Sequence, residues 1–344
     1  MNNNSGVELT IDLTQSDSAN NFDVRDEVYT LMVIVTMVII ANILSLVGTI
    51  GSILNIIILS HHKMQDTTNV VLLAISVCDL IYSITQISFN FSQSAFLINV
   101  YIFMWVYVIH TLIFDTINYF AAIVSIHLVT LVSIERMVAV CFPFHVSRIF
   151  TLSRIKVIIV AIVCCNLVLR IPALFKYEMQ YFEYMNATLP GLKYGDFYYQ
   201  NVYFFNTFST LAAHFLFTIL PFLAISICTS LSIFHISITS KTKATLSSIE
   251  AIAKRKKEMK SVKIVLIICV LIMFLVLIPL IVQQVIYSFN LVRIPLKWSI
   301  IAFWLVNLLT QINSSFNFLI YVTSSPKFKS TLMTCFTFKK RVKH

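Results

Sequence analysis

Residues 131–145 read LVSIERMVAVCFPFH, and within them Glu135 and Arg136 stand side by side at the end of a long apolar run. Charge is expensive in hydrocarbon, so such a pair must be solvated, buried against protein or held for use. No Asp, Glu, Lys or Arg occurs over 116–134, which is close to the roughly 20 apolar residues that carry a helix across a bilayer. Equivalent charge-free stretches recur at 28–60, 80–114, 157–169, 197–240, 264–292 and 298–326.

The bulk composition agrees. Hydrophobic residues make up 58% of the 344 and charged residues 12%, with a mean hydropathy of +0.86. Soluble domains do not reach these values, so the chain reads as a polytopic membrane protein. The fold expected is all-α: a seven-transmembrane helix bundle followed by a short amphipathic C-terminal helix. The spans centre on 32–61, 67–93, 104–139, 153–174, 205–238, 262–289 and 299–323. Residues 1–30 form an Asn/Ser/Asp-rich tail expected to be disordered, 31–324 the membrane bundle, and 325–344 the amphipathic helix with a basic tail.

An odd number of spans puts the termini on opposite sides. With the N-terminus outside, the outer segments hold Arg25, Arg170, Lys176, Lys193, Arg293 and Lys297, and the rest of the 25 basic residues lie inside. That is the bias of a cytoplasmic face, so the expectation is an extracellular N-terminus, a cytoplasmic C-terminus and a plasma-membrane address. The net charge of +10 is then a topological signal. It suits anionic lipid and acidic protein surfaces, and nucleic acid is not an expected partner because no soluble module carries the basic residues. The first 27 residues carry six acids and one arginine; no cleavable leader is expected, and the first span is expected to do the targeting.

All seven cysteines, Cys78, Cys141, Cys164, Cys165, Cys228, Cys269 and Cys335, fall in spans or on the inner side, so no extracellular disulfide is expected. Asn3 and Asn186 begin outward-facing glycosylation sequons, while the Asn90 sequon lies close to the membrane and that at Asn313 inside a span. The inner segment 240–262 reads either as helical continuation of its flanking spans or as a solvated basic stretch. After the last span, Ser325 can cap a helix with Pro326 at its first turn. Phe328, Leu332, Cys335 and Phe336 then share one face, which is expected to lie on the inner leaflet and makes Cys335 a palmitoylation candidate.

Ionisable residues within spans are few: Asp79, Asp115 and the Glu135–Arg136 pair, with His127 and His214 as weaker cases. Asp79 in LLAISVCDL, Glu135–Arg136 followed by Pro143, Pro221 in LPFLAI, Pro279 in LVLIPL, and Asn317 with Tyr321 in NSSFNFLIY resemble, in order and spacing, the rhodopsin-like G-protein-coupled receptors. The resemblance covers about residues 30–338. It implies that Arg136 is restrained by Glu135 at rest and, when the sixth span swings outward, lines a cavity that accepts a heterotrimeric G protein. It also places Phe144, after Pro143, against the G protein, with membrane anchoring as the other reading, and assigns Tyr321 to the same switch. Asp79 with Ser125, Asn313 and Asn317 would match the family's sodium pocket, with Asn55 completing the polar core. A sodium ion near Asp79 is the one cofactor considered; a purely hydrogen-bonded aspartate is the alternative.

The sequence also departs from that pattern. Thr111 stands where the family has the third-span cysteine of its usual disulfide, and residues near Ile162 lack the fourth-span tryptophan. Val276-Leu277-Ile278-Pro279 lacks the sixth-span aromatic, Asn317-Phe318 lacks the seventh-span proline, Thr229 replaces a tyrosine, and Met259 replaces a glutamate.

Gln311 stands where opsins carry the retinal lysine, and Asn118 where amine receptors carry an aspartate, so light and biogenic amines are disfavoured. Asp115, nearly one turn further out, could pair with a basic ligand group or with a neighbouring span. Gln86, Asn118, His214, Gln283 and Gln284 are further polar candidates, with His110 and Asn307 beside them and Tyr119, Tyr287 and Trp304 as walls. The aromatic-rich outer segment 175–204 suits an extracellular peptide or a small chemosensory molecule, and the overall style is similar to invertebrate neuropeptide or chemosensory receptors. The rivals are a non-coupling decoy receptor and a secondary transporter, although a transporter would show internal repeats and broken helices that the sequence lacks. No constellation of an intramembrane enzyme is present.

Overall fold

In lipid every backbone polar group must be satisfied within the chain, so long apolar runs become helices even when rich in β-branched Ile and Val. The computed structural model describes residues 30–32, 34–61, 66–184, 187–242, 266–289, 296–324 and 326–336. Among them, six helices are long and apolar enough to cross a membrane: Thr30–His61, Thr67–Ala95, Val100–Cys141, Leu152–Phe175, Phe215–Ile236 and Leu266–Gln283. The seventh, Leu296–Ser324, has 29 residues, about 43 Å at 1.5 Å per residue, and carries Asn307, Gln311, Asn313 and Asn317 along it. The seven are named first to seventh spans below, and each expected centre falls on one of them.

The third span is the axis. It packs against the second, fourth and fifth spans, while the first packs against the second and seventh. Ile123, Val124, Leu128 and Val132 of the third span meet Ile58, Val71, Ile75, Ile225, Cys269 and Leu277 in one core. The fourth span is peripheral: only Ile155 and Asn166 of Leu152–Arg170 are buried. Leu46, Ile50, Val157 and Phe234 face outward, as an apolar belt in lipid should. Against the second and seventh spans the first presents Gly48, whose missing Cβ would lie 2.8 Å from Ser83 Oγ and 3.1 Å from Ser315 Oγ. Small residues at such crossings let helix backbones close up.

Hydroxyls within the spans bond back to the preceding turn, as Ser76 does to Leu72, Thr130 to Ile126 and Ser232 to Cys228. Two helices widen into π turns just ahead of a proline: Thr210–Ile219 before Pro221, and Met273–Leu277 before Pro279. Proline lacks the N–H and crowds the carbonyl one turn back, and a wider turn relieves that conflict. The seventh span, with Phe318 after Asn317, runs as one α-helix.

Two features differ from expectation. The bundle is helical as expected, but the segment between the fourth and fifth spans forms a hairpin: β1, Tyr177–Tyr184, pairs antiparallel with β2, Ala187–Tyr194, in a register from Tyr177 opposite Tyr194 to Tyr184 opposite Ala187. Tyr177, Met179 and Tyr181 alternate with Glu178, Gln180 and Phe182, and β-favouring aromatics at period two form a strand where no lipid forces a helix. β2 packs on the start of the third span, and the Phe182 ring lies over its Gly191, where a Cβ would stand 2.5 Å from the ring and displace it. The second difference is the terminal helix Pro326–Phe336. Its Phe328 is buried against Phe318 and Tyr321, with ring centroids 6.2 and 5.6 Å apart, and Leu332 also packs on the core. Phe328 and Leu332 of that face therefore dock on the bundle, while Met333 is exposed and the side chains of Cys335 and Phe336 lie outside the described residues.

Candidate functional site

Four polar clusters lie along the bundle, from the Arg136 end to the hairpin end. At the first, Glu135 is buried, and its Oε1 accepts from Thr67 Oγ1 at 2.5 Å and Thr68 Oγ1 at 3.1 Å. Arg136 Nη2 donates to Thr68 Oγ1. One hydroxyl thus receives a hydrogen from the arginine and gives its own to the glutamate. The described ion pairs lie elsewhere, so Glu135 and Arg136 are linked through Thr68 and not by direct contact. Glu135 Oε2 and Arg136 Nε are buried without a hydrogen-bond partner among the described residues, which leaves the pair capacity for other bonds. Pro143 opens the short helix Pro143–Ile149 and presents Phe144, 92% exposed. Tyr321 is buried, its hydroxyl without a partner among the described residues.

The second cluster is mid-bundle. Asp79, 4% exposed, accepts from Ser125 Oγ at 3.2 Å on one oxygen and from Asn317 Nδ2 at 2.6 Å on the other. It lines a cavity with Tyr82, Ser125, Thr310, Asn313 and Ser314. About 20 Å³ there is open to the centre of a water-sized occupant, above the roughly 10–15 Å³ that a water needs. One carboxylate among neutral oxygens fits a small hard cation. Among the described residues no three His, Cys, Asp or Glu side chains gather as a metal site. Asn55 is buried nearby in the sequence of the first span, its Oδ1 without a partner among the described residues.

The third cluster is a chain of neutral groups across four spans. Asn118 Nδ2 donates to Gln86 Oε1 at 3.2 Å and to Thr85 Oγ1 at 2.8 Å. Gln86 Nε2 reaches Asn90 Oδ1 at 3.5 Å, Asn90 Nδ2 donates to Ser45 Oγ at 2.9 Å, and Ser45 Oγ donates to Gln311 Oε1 at 3.0 Å. Gln86 and Asn118, two of the ligand candidates, are therefore bonded to each other. Asn90, fully enclosed, serves this chain despite its sequon.

The fourth cluster lies beneath the hairpin. Arg170 Nη2 of the fourth span is 3.8 Å from Asp115 Oδ2, and its guanidinium sits 4.1 Å from the centroid of the Tyr119 ring. Tyr119 meets Phe217 edge-on at 6.3 Å, and Phe217 meets His127 at 6.1 Å. The hairpin is tied down by Trp105 against Tyr181 at 6.3 Å and by Tyr194 stacked on Tyr198 at 4.5 Å, and it is closed by its own cross-strand pair Tyr177–Tyr194 at 5.4 Å. Burial pushes the Tyr177 phenol above its usual range, with Tyr107 and Asp115 adding to it and a hydrogen bond with Tyr194 opposing.

Of the other candidates, Gln283 and Trp304 are half-buried. The side chains of His214, Gln284, Tyr287 and Cys335 lie outside the described residues, as do Asn3, Asn186, Glu258 and Met259. Every described cysteine, Cys78, Cys141, Cys164, Cys165, Cys228 and Cys269, is a free thiol. Sequence reasoning did not identify Thr67 and Thr68, the Ser45–Asn90–Gln311 links, or Arg170 as the partner of Asp115. The TTNVV start of the second span was a signal, because two hydroxyls at a span end can meet a charge at the same depth.

Comparison with known proteins matches these features to a family. The FMRFamide receptor of Drosophila melanogaster is 27% identical over 155 residues, which cover 44% of this chain and 27% of that relative. The chain thus spans about a quarter of the length of the curated relative it matches. The model of the 7 transmembrane receptor (rhodopsin family) matches residues 51–321, most of the bundle, with Glu135–Arg136, Asp79 and Asn317 all inside it. The chain is a multi-pass membrane protein and belongs to the rhodopsin family of seven-transmembrane receptors.

Proposed function

We propose that this protein is a plasma-membrane receptor that passes the binding of an extracellular peptide to a heterotrimeric G protein. The observation that carries the reading is the restrained arginine: Arg136 bonded to Thr68, with Glu135 on the same hydroxyl. A charge held by one hydroxyl can be released without breaking a tight ion pair, and Phe144, in the short helix that follows the third span, stands exposed for a partner to cover. In this reading the hairpin end is extracellular and the Arg136 end cytoplasmic, as the distribution of Lys and Arg supports. Ligand binding favours the state in which Arg136 is freed, and G protein on the opposite side raises ligand affinity by the same factor.

The relative's name points to a short amidated peptide with an arginine, and the outer hairpin rich in tyrosine suits such a ligand. Asp79, Ser125 and Asn313 would hold sodium in the central cavity, where the ion would neutralise the carboxylate and favour the resting packing. The test is a G-protein dissociation assay in cells against an amidated-peptide library, with Arg136→Ala at matched surface expression. A peptide response that falls by more than about 10-fold in the variant, as loss of a bond to a charged group predicts, supports the reading. Wild-type protein at the surface that responds to no peptide overturns it.

A further inference from the structure

The Asp115–Arg170 pair is not in its strongest form. Charge-assisted N–H···O bonds settle at about 2.7–2.9 Å, whereas here the atoms stand 3.8 Å apart. The Asp115 side chain is 56% exposed and that of Arg170 21% exposed. Arg170 is placed by Tyr119, whose ring face carries the guanidinium, and its Nε is enclosed without a hydrogen-bond partner among the described residues. The half-exposed carboxylate therefore keeps open lone pairs, while the cation 3.8 Å from it is seated on an aromatic ring.

From this geometry we infer that Asp115 is the acceptor for a guanidinium of the peptide ligand, and that Arg170 is a resident stand-in which the ligand's arginine displaces. A guanidinium arriving from the open side can present two parallel N–H groups to Asp115 in fork geometry, which Arg170 at 3.8 Å does not. The Tyr119 ring then loses or reorients its cation. Because Tyr119 abuts Phe217 on the π turn Thr210–Ile219, the exchange has a packed neighbour to act on in the fifth span. The three parts come from different segments: an acid of the third span, a base at the end of the fourth, and the hairpin that Arg170 leads into. This inference rests on the peptide reading above and names the ligand chemistry that the site selects.

The test uses full-length receptor in cells, with the amidated tetrapeptide Phe-Met-Arg-Phe-amide and its citrulline analogue, which keeps the shape and removes the charge. Asp115→Asn is expected to lower potency for the arginine peptide by about 10-fold or more, the loss of one charge-assisted bond, and to leave the citrulline peptide nearly unchanged. Arg170→Gln, which removes the competitor, is expected to raise potency for the arginine peptide. The exchanged pair Asp115→Arg with Arg170→Asp keeps an ion pair and guards against misfolding: surface expression should persist while arginine selectivity is lost. If Arg170→Gln weakens the arginine peptide as much as Asp115→Asn does, or if the exchanged pair restores full potency, the pair is structural and the inference falls. If only peptides without arginine activate the receptor, the inference falls and the peptide reading stands; if no peptide activates it, both fall.

Discussion

Asp79 and Asp115 are two aspartates in one bundle, and they are held in opposite ways. Asp79 is 4% exposed, and each of its oxygens takes a hydrogen from a neutral donor, Ser125 or Asn317. Asp115 is half-open, with a cation at 3.8 Å and no hydrogen-bond partner at normal length among the described residues. Depth accounts for the difference. A buried carboxylate must be bonded at short range or it costs several kcal/mol, whereas one near the membrane boundary keeps water and can tolerate a loose partner. A group bonded on both oxygens is suited to fix the packing of three spans. A loosely paired one is suited to exchange.

Glu135 stands between these cases. It is as buried as Asp79 and is bonded by hydroxyls, yet one of those hydroxyls also receives a hydrogen from an arginine. The family resemblance implied that Glu135 restrains Arg136 at rest; in the structure the two are joined through the Thr68 hydroxyl.

The largest effect expected is at the tightly held acid. Asp79→Ala should strand the Ser125 hydroxyl and the Asn317 amide, each costing about 1–3 kcal/mol when buried without a partner. Thermal unfolding of purified receptor in detergent should register that loss, and Asp79→Asn, which keeps an acceptor, should lose much less. Asp115→Asn should barely move the same curve. Equal destabilisation at both aspartates would break the comparison. The central cavity supplies a sharper version: if sodium sits against Asp79, exchanging sodium for a large organic cation should change agonist affinity in wild type and not in Asp79→Asn.

Thr68→Val comes next. The substitution keeps the shape of the side chain and removes the hydroxyl that joins Arg136 to Glu135. Hydrogen bonds to charged groups are worth about 1.5–3 kcal/mol, and Thr67 still bonds Glu135, so the loss falls mainly on the arginine. Basal G-protein turnover in membranes should rise several-fold, and peptide affinity should rise with it, because the state with Arg136 freed is the one that the peptide prefers. Unchanged basal turnover would mean that Thr68 does not restrain Arg136.

How far the sequence could be read follows from the same physics. Seven spans were legible because hydrocarbon allows only closed backbone hydrogen bonding, and hydropathy therefore reports helices directly. The grouping of Asp79 with Ser125 and Asn317 came from the family resemblance; the residues by themselves marked only Asp79, as an acid within a span that needs partners. Arg170 could not be assigned to Asp115, since a mainly apolar fourth span gives no amphipathic stripe from which to read its rotation. The amide chain from Asn118 to Gln311 was hidden for a related reason: Gln86 and Asn118 were legible as polar, but not as partners of each other. The hairpin had a usable signal in the alternation of Tyr177, Met179 and Tyr181, masked by a view of the segment as a loop. The docking of Phe328 on Tyr321 depends on where the seventh span ends in space, which periodicity does not give.

The smallest effect expected is at the hairpin, and it bears on why Asp115 can be loose. β1 and β2 lie over the Asp115 end, the described cysteines are free, and the contacts that hold the hairpin to the third span include the Trp105–Tyr181 ring pair. Such a pair is worth about 0.5–1.5 kcal/mol, and Trp105 is already 44% exposed, so Trp105→Ala should loosen the hairpin without unfolding the bundle. Hydrogen exchange of β1 and β2 amides should accelerate by about 10-fold at most, as that energy allows, while exchange around Asp79 stays unchanged. A reducing agent should leave both regions as they were, because no described disulfide ties the hairpin down. If Trp105→Ala also quickens exchange at Asp79, the two ends of the bundle are coupled more tightly than their contrasting aspartates indicate, and the loose pairing of Asp115 would then reflect strain shared by the whole bundle instead of a local capacity for exchange.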